Sequence, residues 1–351
     1  MKKVLYITNI PVPYRVRFLG ELAKYCDLTV LFERRRGGNR DALWSGSEEI
    51  RFRGKFLRGL PLGAENAFSF GILKEIFSGY DAVIFGCCNS PVQLMAMLAL
   101  RIIGHPYLLN MDGEPFLGKA GWKAKLKRFF LSGAEKYLVA GKRAGESLRK
   151  IAGGKPVIPY YFSALSEEDV RVNAAVEADR GETIAVVGRF YPYKGMDVAL
   201  EAAKLAPELK FCFVGMGDRA EIFCREHTVP ENVEIIPFLQ KEEMQRLYAS
   251  CRMLVLPSRQ ECWGLVIGEA ASFGTPIVST WGSGAAAEYL GERYPHYLAR
   301  PGDARSLLDC IRRLREAEDT DPYRTFLLET AGQYTIEESV RAHLRALEGE
   351  I

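Results

Sequence analysis

The chain has 351 residues, enough for two domains of ordinary size, and its 48% hydrophobic and 26% charged residues are typical of a globular protein. No apolar run approaches the roughly 18 residues that a bilayer-spanning helix needs, so no membrane span is expected. The net charge of +3 hides an asymmetry, because residues 1–165 carry 26 basic and 13 acidic side chains whereas residues 166–351 carry 21 and 31.

Short apolar runs alternate with helical patterns along the first half of the chain. The runs cover residues 2–8, 28–32, 82–85, 107–110 and 137–140, and the helical patterns cover 14–24, 91–103 and 121–132. Because the runs are apolar on both faces, they predict a parallel sheet covered by helices. Residues 34–66 are less regular and rich in arginine.

The alternation restarts after a polar linker at 163–182, whose one predicted helix begins behind Ser166 as its N-cap. Strands are predicted at 183–188, 210–214, 233–236, 252–256 and 276–279, and helices at about 195–205, 218–227, 241–250, 263–273, 303–316 and 336–348. This order predicts a second doubly wound unit, and ligands bind between the carboxyl ends of such strands. We predict domains at 1–165 and 166–325, with a helical segment at 326–351 that packs back toward the first.

The eight cysteines show no spacing typical of metal ligands or redox motifs. Most of them lie in apolar or helical contexts, which suits a reducing compartment, so we predict a cytoplasmic protein.

The most informative stretch is 257–269, where the end of a buried strand is followed by a polar turn and a helix of small and apolar residues. Glu261 precedes this helix, and Glu269 lies inside it, a little over two turns further on. N–H groups at a helix start bind anions, and carboxylates accept hydrogen bonds from hydroxyl groups. Together they suit a nucleotide sugar, which offers both an anion and a polyol.

A second constellation follows the strand at 183–188. Gly188 lets the chain turn, and Arg189 and Lys194 place two cations at the carboxyl end of the strand. A bidentate guanidinium and a compact ammonium suit a pyrophosphate and a leaving group that gains negative charge. The alternative is that both are solvated surface charges. The presence of Glu261 and Glu269 further along the chain makes this interpretation less favourable.

These motifs resemble those of retaining glycosyltransferase family 4, the glycosyl transferases group 1. Five segments match in order and spacing across residues 183–316, namely 187–195, 213–218, 257–270, 274–278 and 301–303. The resemblance implies the GT-B fold, in which two Rossmann-like doubly wound parallel-sheet domains face a central cleft. It assigns acceptor binding to the first domain and nucleotide-sugar binding to the second.

The resemblance also implies roles for individual residues. Arg189 and Lys194 would hold the donor diphosphate, Glu261 would contact the donor sugar, and Glu269 would accept hydrogen bonds from the ribose. The remaining residues of the predicted donor site are Gly188, Gly264, Leu265, Val266, Gly215, Phe238 and Leu239. The turn after Gly215 also fits a degenerate dinucleotide fingerprint, but it follows the second strand of its unit, so we predict no nicotinamide cofactor.

The first half resembles the family less. Tyr14 and Arg15 occupy a turn where many members have paired glycines, and Arg15 either faces the cleft or is a solvated cation. Where many members have a histidine, this chain has Asp112 and Glu114, which are either acceptor or sugar contacts or plain turn residues. His343 and the other histidines show no catalytic context.

Residues 121–131 form a basic amphipathic pattern in which Trp122, Leu126, Phe129 and Phe130 can share one face. The pattern suits a helix that lies on an anionic membrane. The alternative is a core helix with a solvated basic face, which the pattern alone favours. The basic excess of the first half makes the two interpretations about equally favourable. Nucleic acid would use the same charge, but no recognition motif accompanies it.

We therefore predict a metal-independent enzyme that transfers a sugar, with retention, from a UDP- or GDP-sugar to a saccharide or lipid-linked acceptor. The predicted setting is bacterial surface-polysaccharide assembly (capsule, exopolysaccharide or O-antigen), at the inner face of the cytoplasmic membrane. No Asp-x-Asp motif ends a strand, so no metal or other cofactor is expected. A non-catalytic nucleotide-sugar sensor of the same fold and a nucleic-acid-associated protein remain as alternatives.

Overall fold

The computed structural model describes residues 1–35, 51–62, 66–86, 90–113, 121–150, 152–177, 179–215 and 218–348. The chain divides into two units, Met1–Ala164 with Ile336–Ile351, and Leu165–Thr335. Within the described ranges, no helix is both long enough and apolar enough to cross a membrane.

The first unit is built on a seven-stranded parallel sheet. In chain order its elements before residue 165 are β1 (Lys3–Thr8), α1 (Pro13–Leu22), β2 (Asp27–Phe32), β3 (Arg53–Phe56), β4 (Leu60–Leu62), β5 (Asn66–Phe68), α2 (Gly71–Ile76), β6 (Ala82–Phe85), α3 (Pro91–Ile102), β7 (Tyr107–Met111), α4 (Trp122–Leu131), β8 (Lys136–Ala140), α5 (Lys142–Arg149) and β9 (Val157–Tyr160). The sheet order is β3-β2-β1-β6-β7-β8-β9, and β4 pairs with β5 in a separate antiparallel ribbon. The predicted apolar runs become its central strands, since all five residues of β7 and five of the six in β1 are buried.

Strands β3 and β4 lie in the stretch that the sequence presents as irregular, residues 34–66, and β5 begins at its end. All three β4 residues are exposed, and β3 is exposed or half-buried at the sheet edge. An edge strand that buries little carries no apolar run, so its pattern is weak.

The second unit has its own six-stranded parallel sheet. In chain order its elements are α6 (Glu167–Ala174), β10 (Ile184–Val187), α7 (Met196–Lys204), β11 (Phe211–Val214), α8 (Asp218–Glu226), β12 (Val233–Ile236), α9 (Lys241–Ser250), β13 (Met253–Leu256), α10 (Leu265–Ala271), β14 (Ile277–Thr280), α11 (Gly284–Leu290), β15 (Leu298–Ala299), α12 (Ala304–Arg315) and α13 (Asp321–Gln333). The order β12-β11-β10-β13-β14-β15 is the doubly wound one, with its topological switch point between β10 and β13.

The predicted cap of α6 is confirmed, and α12 begins with a cap of the same kind. Ser166 accepts from the Asp169 N–H at 3.1 Å, and Asp169 accepts from the Ser166 N–H at 2.8 Å, which forms a capping box. Asp303 accepts from the Ser306 N–H at 2.9 Å and begins α12. These side chains replace the hydrogen-bond partners that the first turn of a helix lacks.

The chain leaves the second unit later than the predicted boundary at 325/326, which falls inside α13. This helix packs on α6 and α10 of its own unit, and it buries Tyr323 and Leu327 there. The Tyr323 hydroxyl also donates to the Ile277 carbonyl at 2.7 Å. Burial therefore fixes α13 in the second unit, and the change of unit comes at Ile336.

The final helix, α14 (Ile336–Glu348), belongs to the first unit and packs against α1, β8 and β9. Its fully buried His343 has Nε2 at 2.9 Å from the Asn110 Oδ1 and Nδ1 at 2.7 Å from the Ser339 carbonyl. Burial lowers the pKa of His343 from 6.5 to about 4, so the imidazole is neutral at physiological pH.

In the second unit, the loops that follow β10 and β13 are held together across the switch point. The Tyr193 carbonyl accepts from the Arg259 N–H at 2.9 Å and the Gln260 N–H at 3.1 Å. The Arg259 guanidinium forms two 2.7 Å hydrogen bonds with Asp197, and a third with the Pro192 carbonyl. These contacts fix the β10 loop against the β13 loop.

Gly195 allows this close approach. Its φ is 70°, and a Cβ there would lie 2.1 Å from the Pro257 carbonyl oxygen. Gly188 has no positive φ, and a Cβ there would lie in ordinary contact with the Met196 Sδ at 3.5 Å. The glycine that this turn requires is therefore Gly195, not Gly188 as the sequence suggested.

We expect Gly195→Ala to lower the free energy of unfolding of the second unit by about 2–4 kcal/mol, because it adds left-handed backbone strain and a clash with backbone. Gly188→Ala is the matched control and should cost less than about 1 kcal/mol. Urea unfolding followed by tryptophan fluorescence measures both, since Trp263 and Trp281 lie in this unit. Equal losses in the two variants would contradict the assignment.

The His343 pKa predicts how stability changes with pH. The unfolded chain binds a proton at this histidine below about pH 6.5, whereas the folded chain does so only near pH 4. The free energy of unfolding therefore falls as pH drops through this interval, and His343 accounts for about 2 kcal/mol of that loss between pH 7 and pH 5.

Chemical denaturation of the wild type and of His343→Gln at these two pH values isolates this contribution. The variant should lose about 2 kcal/mol less than the wild type over the interval. His105→Gln, which changes a partly exposed histidine of the same unit, is the control for replacing a histidine with glutamine. Parallel pH profiles for wild type and His343→Gln would refute the neutral assignment.

Candidate active site

The switch point of the second unit brings together the residues that the sequence singled out. Arg189 and Lys194 follow β10, and Glu261 follows β13, the neighbouring strand in the sheet. Both loops emerge from the carboxyl ends of their strands, where ligands of doubly wound sheets bind. Sixty-seven residues separate Lys194 from Glu261 in sequence, and the topology makes them neighbours.

Lys194 and Glu261 form an ion pair, in which the Lys194 Nζ donates to the Glu261 Oε2. Their side chains retain only 13% and 15% exposure, so the pair is shielded from most of the solvent. The Glu261 backbone is also fixed, because its N–H donates to the Gly282 carbonyl at 2.8 Å and its carbonyl accepts from the Gly284 N–H at 3.2 Å. A rigid, partly dry pair of opposite charges therefore occupies the centre of the site.

Arg189 lies among aromatic rings that the sequence did not single out. Its Nη2 donates to the Tyr193 hydroxyl at 3.1 Å, and its guanidinium lies 5.2 Å from the Tyr191 ring centre. The rings of Tyr191 and Tyr193 stack at 5.6 Å, and the Arg219 guanidinium lies 4.0 Å from Tyr191. The Tyr-Pro-Tyr sequence beside Arg189 was the available signal for this cluster, which holds Arg189 by cation–π contact.

Glu269 lies in the second half of α10, about one turn after its first residue. Its carboxylate accepts a hydrogen bond from the Tyr248 hydroxyl at 2.9 Å. Burial raises the pKa of Glu269, while the Tyr248 hydrogen bond and the charge of Lys241 act in the opposite direction. Tyr248 belongs to α9 and is 2% exposed, so its ring is fixed and its hydroxyl orients the carboxylate. No sequence signal pointed to this partner, because a tyrosine in the interior of a helix fits any buried face.

Gly264 begins α10 in a left-handed conformation with φ of 106°, and a Cβ there would meet Leu256 at 3.0 Å. Its lack of a side chain lets the chain turn beside the end of β13. Leu265 and Val266 form the first turn and are half-buried, with N–H groups that the helix itself does not use. The helix is shorter than the predicted span of 263–273, since it covers Leu265–Ala271.

The other predicted donor-site residues end the outer strands of the same sheet. Gly215 follows β11, and a Cβ there would lie 2.0 Å from the Phe190 ring, so packing alone requires a glycine. Phe238 and Leu239 follow β12 and are half-buried. Gly217, the second glycine of the fingerprint-like turn, lies outside the described residues.

In the first unit, Arg15 and Asp112 form an ion pair at the carboxyl ends of β1 and β7. Arg15 is 5% exposed, which excludes the solvated cation that the sequence left open. The Arg15 Nη1 contacts the Tyr6 hydroxyl at 3.1 Å, and the Tyr160 hydroxyl donates to the Asp112 Oδ1 at 2.8 Å. Burial and the nearby Asp112 charge raise the pKa of Tyr160, so this hydroxyl keeps its proton.

The network continues from Asp112 to Asn110 at 3.3 Å, and through Asn110 to His343. His343, which lacked context in the sequence, is thus linked to the Asp112 carboxylate. Tyr14 packs edge-on against Phe162 at 5.2 Å. Glu114 lies outside the described residues, so its predicted role stays a prediction. Asp112 keeps 28% side-chain exposure, so this buried network still reaches the surface there.

Residues 169–325 match the model of the family described as glycosyl transferases group 1. A D-inositol 3-phosphate glycosyltransferase of Mycobacterium sp. (strain JLS) is 31% identical over 121 residues, which is 32% of this chain and 28% of that protein. An uncharacterized 41.2 kDa protein in the cps region of Klebsiella pneumoniae is 34% identical over 97 residues, 27% of this chain and 26% of that protein. The matched stretch thus spans less than a third of either curated relative.

Among solved structures, that of Anabaena Alr3699/HepE in complex with UDP and glucose is similar over 99% of this chain and 100% of that one. The TM-score is 0.72 and the identity is 17%, a likeness that speaks for the fold. It confirms the predicted GT-B class of two parallel-sheet α/β domains. Through residues 169–325 of its second unit, the chain is similar to the family described as glycosyl transferases group 1.

Proposed function

We propose that this protein is a retaining glycosyltransferase that moves a sugar from a nucleotide-diphosphate sugar, a UDP- or GDP-sugar, to an acceptor hydroxyl. The observation that carries the proposal is the convergence of Arg189, Lys194 and Glu261 at the switch point of the second unit, with Glu269 in the helix that follows. The family match over the same unit supports it. UDP and glucose are bound by the Anabaena protein of similar fold, which supports a donor of this class.

Arg189 and Lys194 would bind the donor diphosphate. The Lys194 ammonium has three N–H donors, so it can bond to a phosphate oxygen while it keeps its contact with Glu261. The Arg189 guanidinium is held by the ring of Tyr191 and the hydroxyl of Tyr193, which limits the side-chain entropy lost on binding. Negative charge develops on the diphosphate as the glycosidic bond breaks, and these two cations stabilise it most strongly at that point.

The two carboxylates would orient the hydroxyl groups of the donor. Lys194 occupies the Oε2 of Glu261, and the Oε1 of Glu261 would accept from the sugar. Tyr248 occupies the Oε2 of Glu269, and the Oε1 of Glu269 would accept from the ribose. In each case a hydrogen bond from the protein fixes the carboxylate before the nucleotide sugar binds, so little orientation entropy is lost on binding.

The anomeric configuration is retained if the acceptor hydroxyl attacks the anomeric carbon from the same face from which the diphosphate departs. The new glycosidic bond then forms on the side of the old one, and a diphosphate oxygen takes the acceptor proton. This route needs no enzymic base, and the charge of the diphosphate is met by Arg189 and Lys194, so we propose transfer without a metal ion.

We propose a saccharide or lipid-linked acceptor in bacterial surface-polysaccharide assembly, and a cytoplasmic protein that associates with the inner face of the membrane. The basic excess of residues 1–165 supports association with an anionic leaflet. The similarity to a protein of the Klebsiella pneumoniae cps region supports the polysaccharide setting. Tyr14, Arg15 and Asp112 would then serve the acceptor side, with Asp112 as the member of their network that reaches the surface.

Lys194→Met should lower kcat about 10²- to 10³-fold, because it removes a cation that stabilises the departing diphosphate. Donor affinity should fall less, since Arg189 still holds the phosphates. Release of nucleotide from donor sugars, with acceptor or through slow hydrolysis, measures the rate. Lys204→Met removes a lysine that pairs with Glu201 on α7 and is the matched control. A wild-type kcat in Lys194→Met would exclude this role.

A panel of UDP, GDP and their sugar derivatives should identify the donor by thermal shift. A nucleotide at about 100 times its Kd should raise the Tm of the wild type by about 5 °C. Glu269→Ala should abolish this rise because the ribose loses its acceptor, whereas Glu201→Ala should keep it. The site assignment fails if no nucleotide stabilises the wild type more than Glu269→Ala, and binding without turnover would favour a sensor.

A further inference from the structure

Five large apolar side chains lie exposed on two helices of the first unit. They are Leu98 and Ile102 of α3 with Ile103 at its end, and Leu126 and Phe129 of α4, with exposures of 39%, 75%, 54%, 46% and 44%. Three exposed basic side chains, Arg101, Lys125 and Arg128, lie on the same helices. We call these eight residues the α3–α4 surface.

The α3–α4 surface is continuous across the two helices. Arg101 joins them, since its Nη1 donates to the Phe129 carbonyl at 2.7 Å and its guanidinium lies 4.2 Å from the Phe129 ring centre. Leu98 and Ile102 are four residues apart on α3, so they share a face. Leu126 and Phe129 are three residues apart on α4 and share a face in the same way.

These side chains are not needed for the hydrophobic core. The inner face of α3 fills the core with Val92, Ala96 and Leu100, all fully buried. In α4, Leu131 is buried and Phe130 packs against the same core. Phe130 therefore leaves the outward face that the sequence pattern assigned to it. Of the α4 side chains that the structure describes, Leu126 and Phe129 keep to that face. The side chain of Trp122 lies outside the described residues.

The charge of the two helices indicates what covers this surface. The sequences of α3 and α4 contain five basic residues and no acidic residue. Two exposed basic side chains elsewhere on this unit have carboxylate partners, Arg53 with Asp27 and Lys55 with Glu75. Apolar side chains surrounded by unopposed positive charge match the interface of an anionic bilayer, where acyl chains lie beneath phosphate groups.

We propose that the α3–α4 surface docks this protein on an anionic lipid bilayer. Leu98, Ile102, Leu126 and Phe129 enter the boundary between headgroups and acyl chains, and Lys125 and Arg128 contact lipid phosphates. The surface gives a location to the membrane association proposed above. It does not require the transferase activity, because α3 and α4 end at the amino edge of the sheet, away from Arg15 and Asp112.

Flotation with vesicles of phosphatidylcholine, alone or with about one third phosphatidylglycerol, tests the proposal. The wild type should float with the anionic vesicles, release them at high salt, and bind neutral vesicles weakly. Lys125→Gln with Arg128→Gln should lower the partition coefficient about 30-fold, because each cation contributes about fivefold near such a surface. Leu126→Ser with Phe129→Ser should abolish binding.

Two control variants match these changes in exposure and charge. Leu205→Ser with Ile222→Ser removes apolar side chains of 48% and 46% exposure from the second unit. Arg149→Gln with Lys150→Gln lowers the charge of the first unit by the same amount, at the end of α5. Both controls should bind anionic vesicles like the wild type, and nucleotide thermal shifts should be equal in all variants.

The proposal is overturned if the wild type does not bind anionic vesicles. It is also overturned if the two charge variants lose binding equally, since net charge rather than this surface would then act. A dimer in solution that Leu126→Ser with Phe129→Ser converts to a monomer would assign the surface to a second copy of the chain. Failure of these tests leaves the donor-site proposal intact, because that is measured by nucleotide release without vesicles.

Discussion

The contact between the β10 and β13 loops is the constraint on which the second unit's site depends. Arg259 holds Asp197 and the Pro192 carbonyl with its guanidinium, and the Tyr193 carbonyl accepts two N–H groups of the β13 loop. Without this contact, Lys194 and Glu261 would be flexible side chains on separate loops, and an exposed pair of that kind contributes little. With it, they form a shielded pair of fixed geometry. Such preorganisation is what an electrostatic catalyst needs, since its dipoles and charges must not reorganise during the reaction.

The strands and helices of the second unit could be predicted closely because each is a local pattern. The predicted strand 233–236 and helix 241–250 match β12 and α9 in their bounds, since apolar periodicity and turn residues mark both ends. The site residues could be named for the same reason, as each motif follows a strand. Their partners could not be predicted. Nothing near Glu269 in sequence points to Tyr248, and nothing near Lys194 shows that its first partner is Glu261 rather than a phosphate.

The first unit shows the same limit more strongly. Arg15 had two interpretations in the sequence, and only the fold places Asp112, 97 residues away, against it. His343 had none, because its partner Asn110 lies 233 residues away and its helix packs on the unit from the far end of the chain. A buried polar residue is defined by the groups that satisfy it, and these come from distant strands in a doubly wound sheet. The edge strand β3 was missed for a different reason, since it buries too little to leave a pattern.

The basic excess of the first half is a weaker indication of a partner once the positions of the side chains are known. Arg15 is buried against Asp112, Arg53 is paired with Asp27, and Lys55 is paired with Glu75, so part of the excess is neutralised inside the unit or at its surface. Net charge alone therefore cannot locate a partner, because a summed charge does not say which cations lack a nearby anion. The helices α3 and α4 differ because basic residues, exposed apolar side chains and the absence of acidic residues coincide in their sequences. It is this coincidence, rather than the total charge, that distinguishes a lipid-facing surface from an ordinary solvated one.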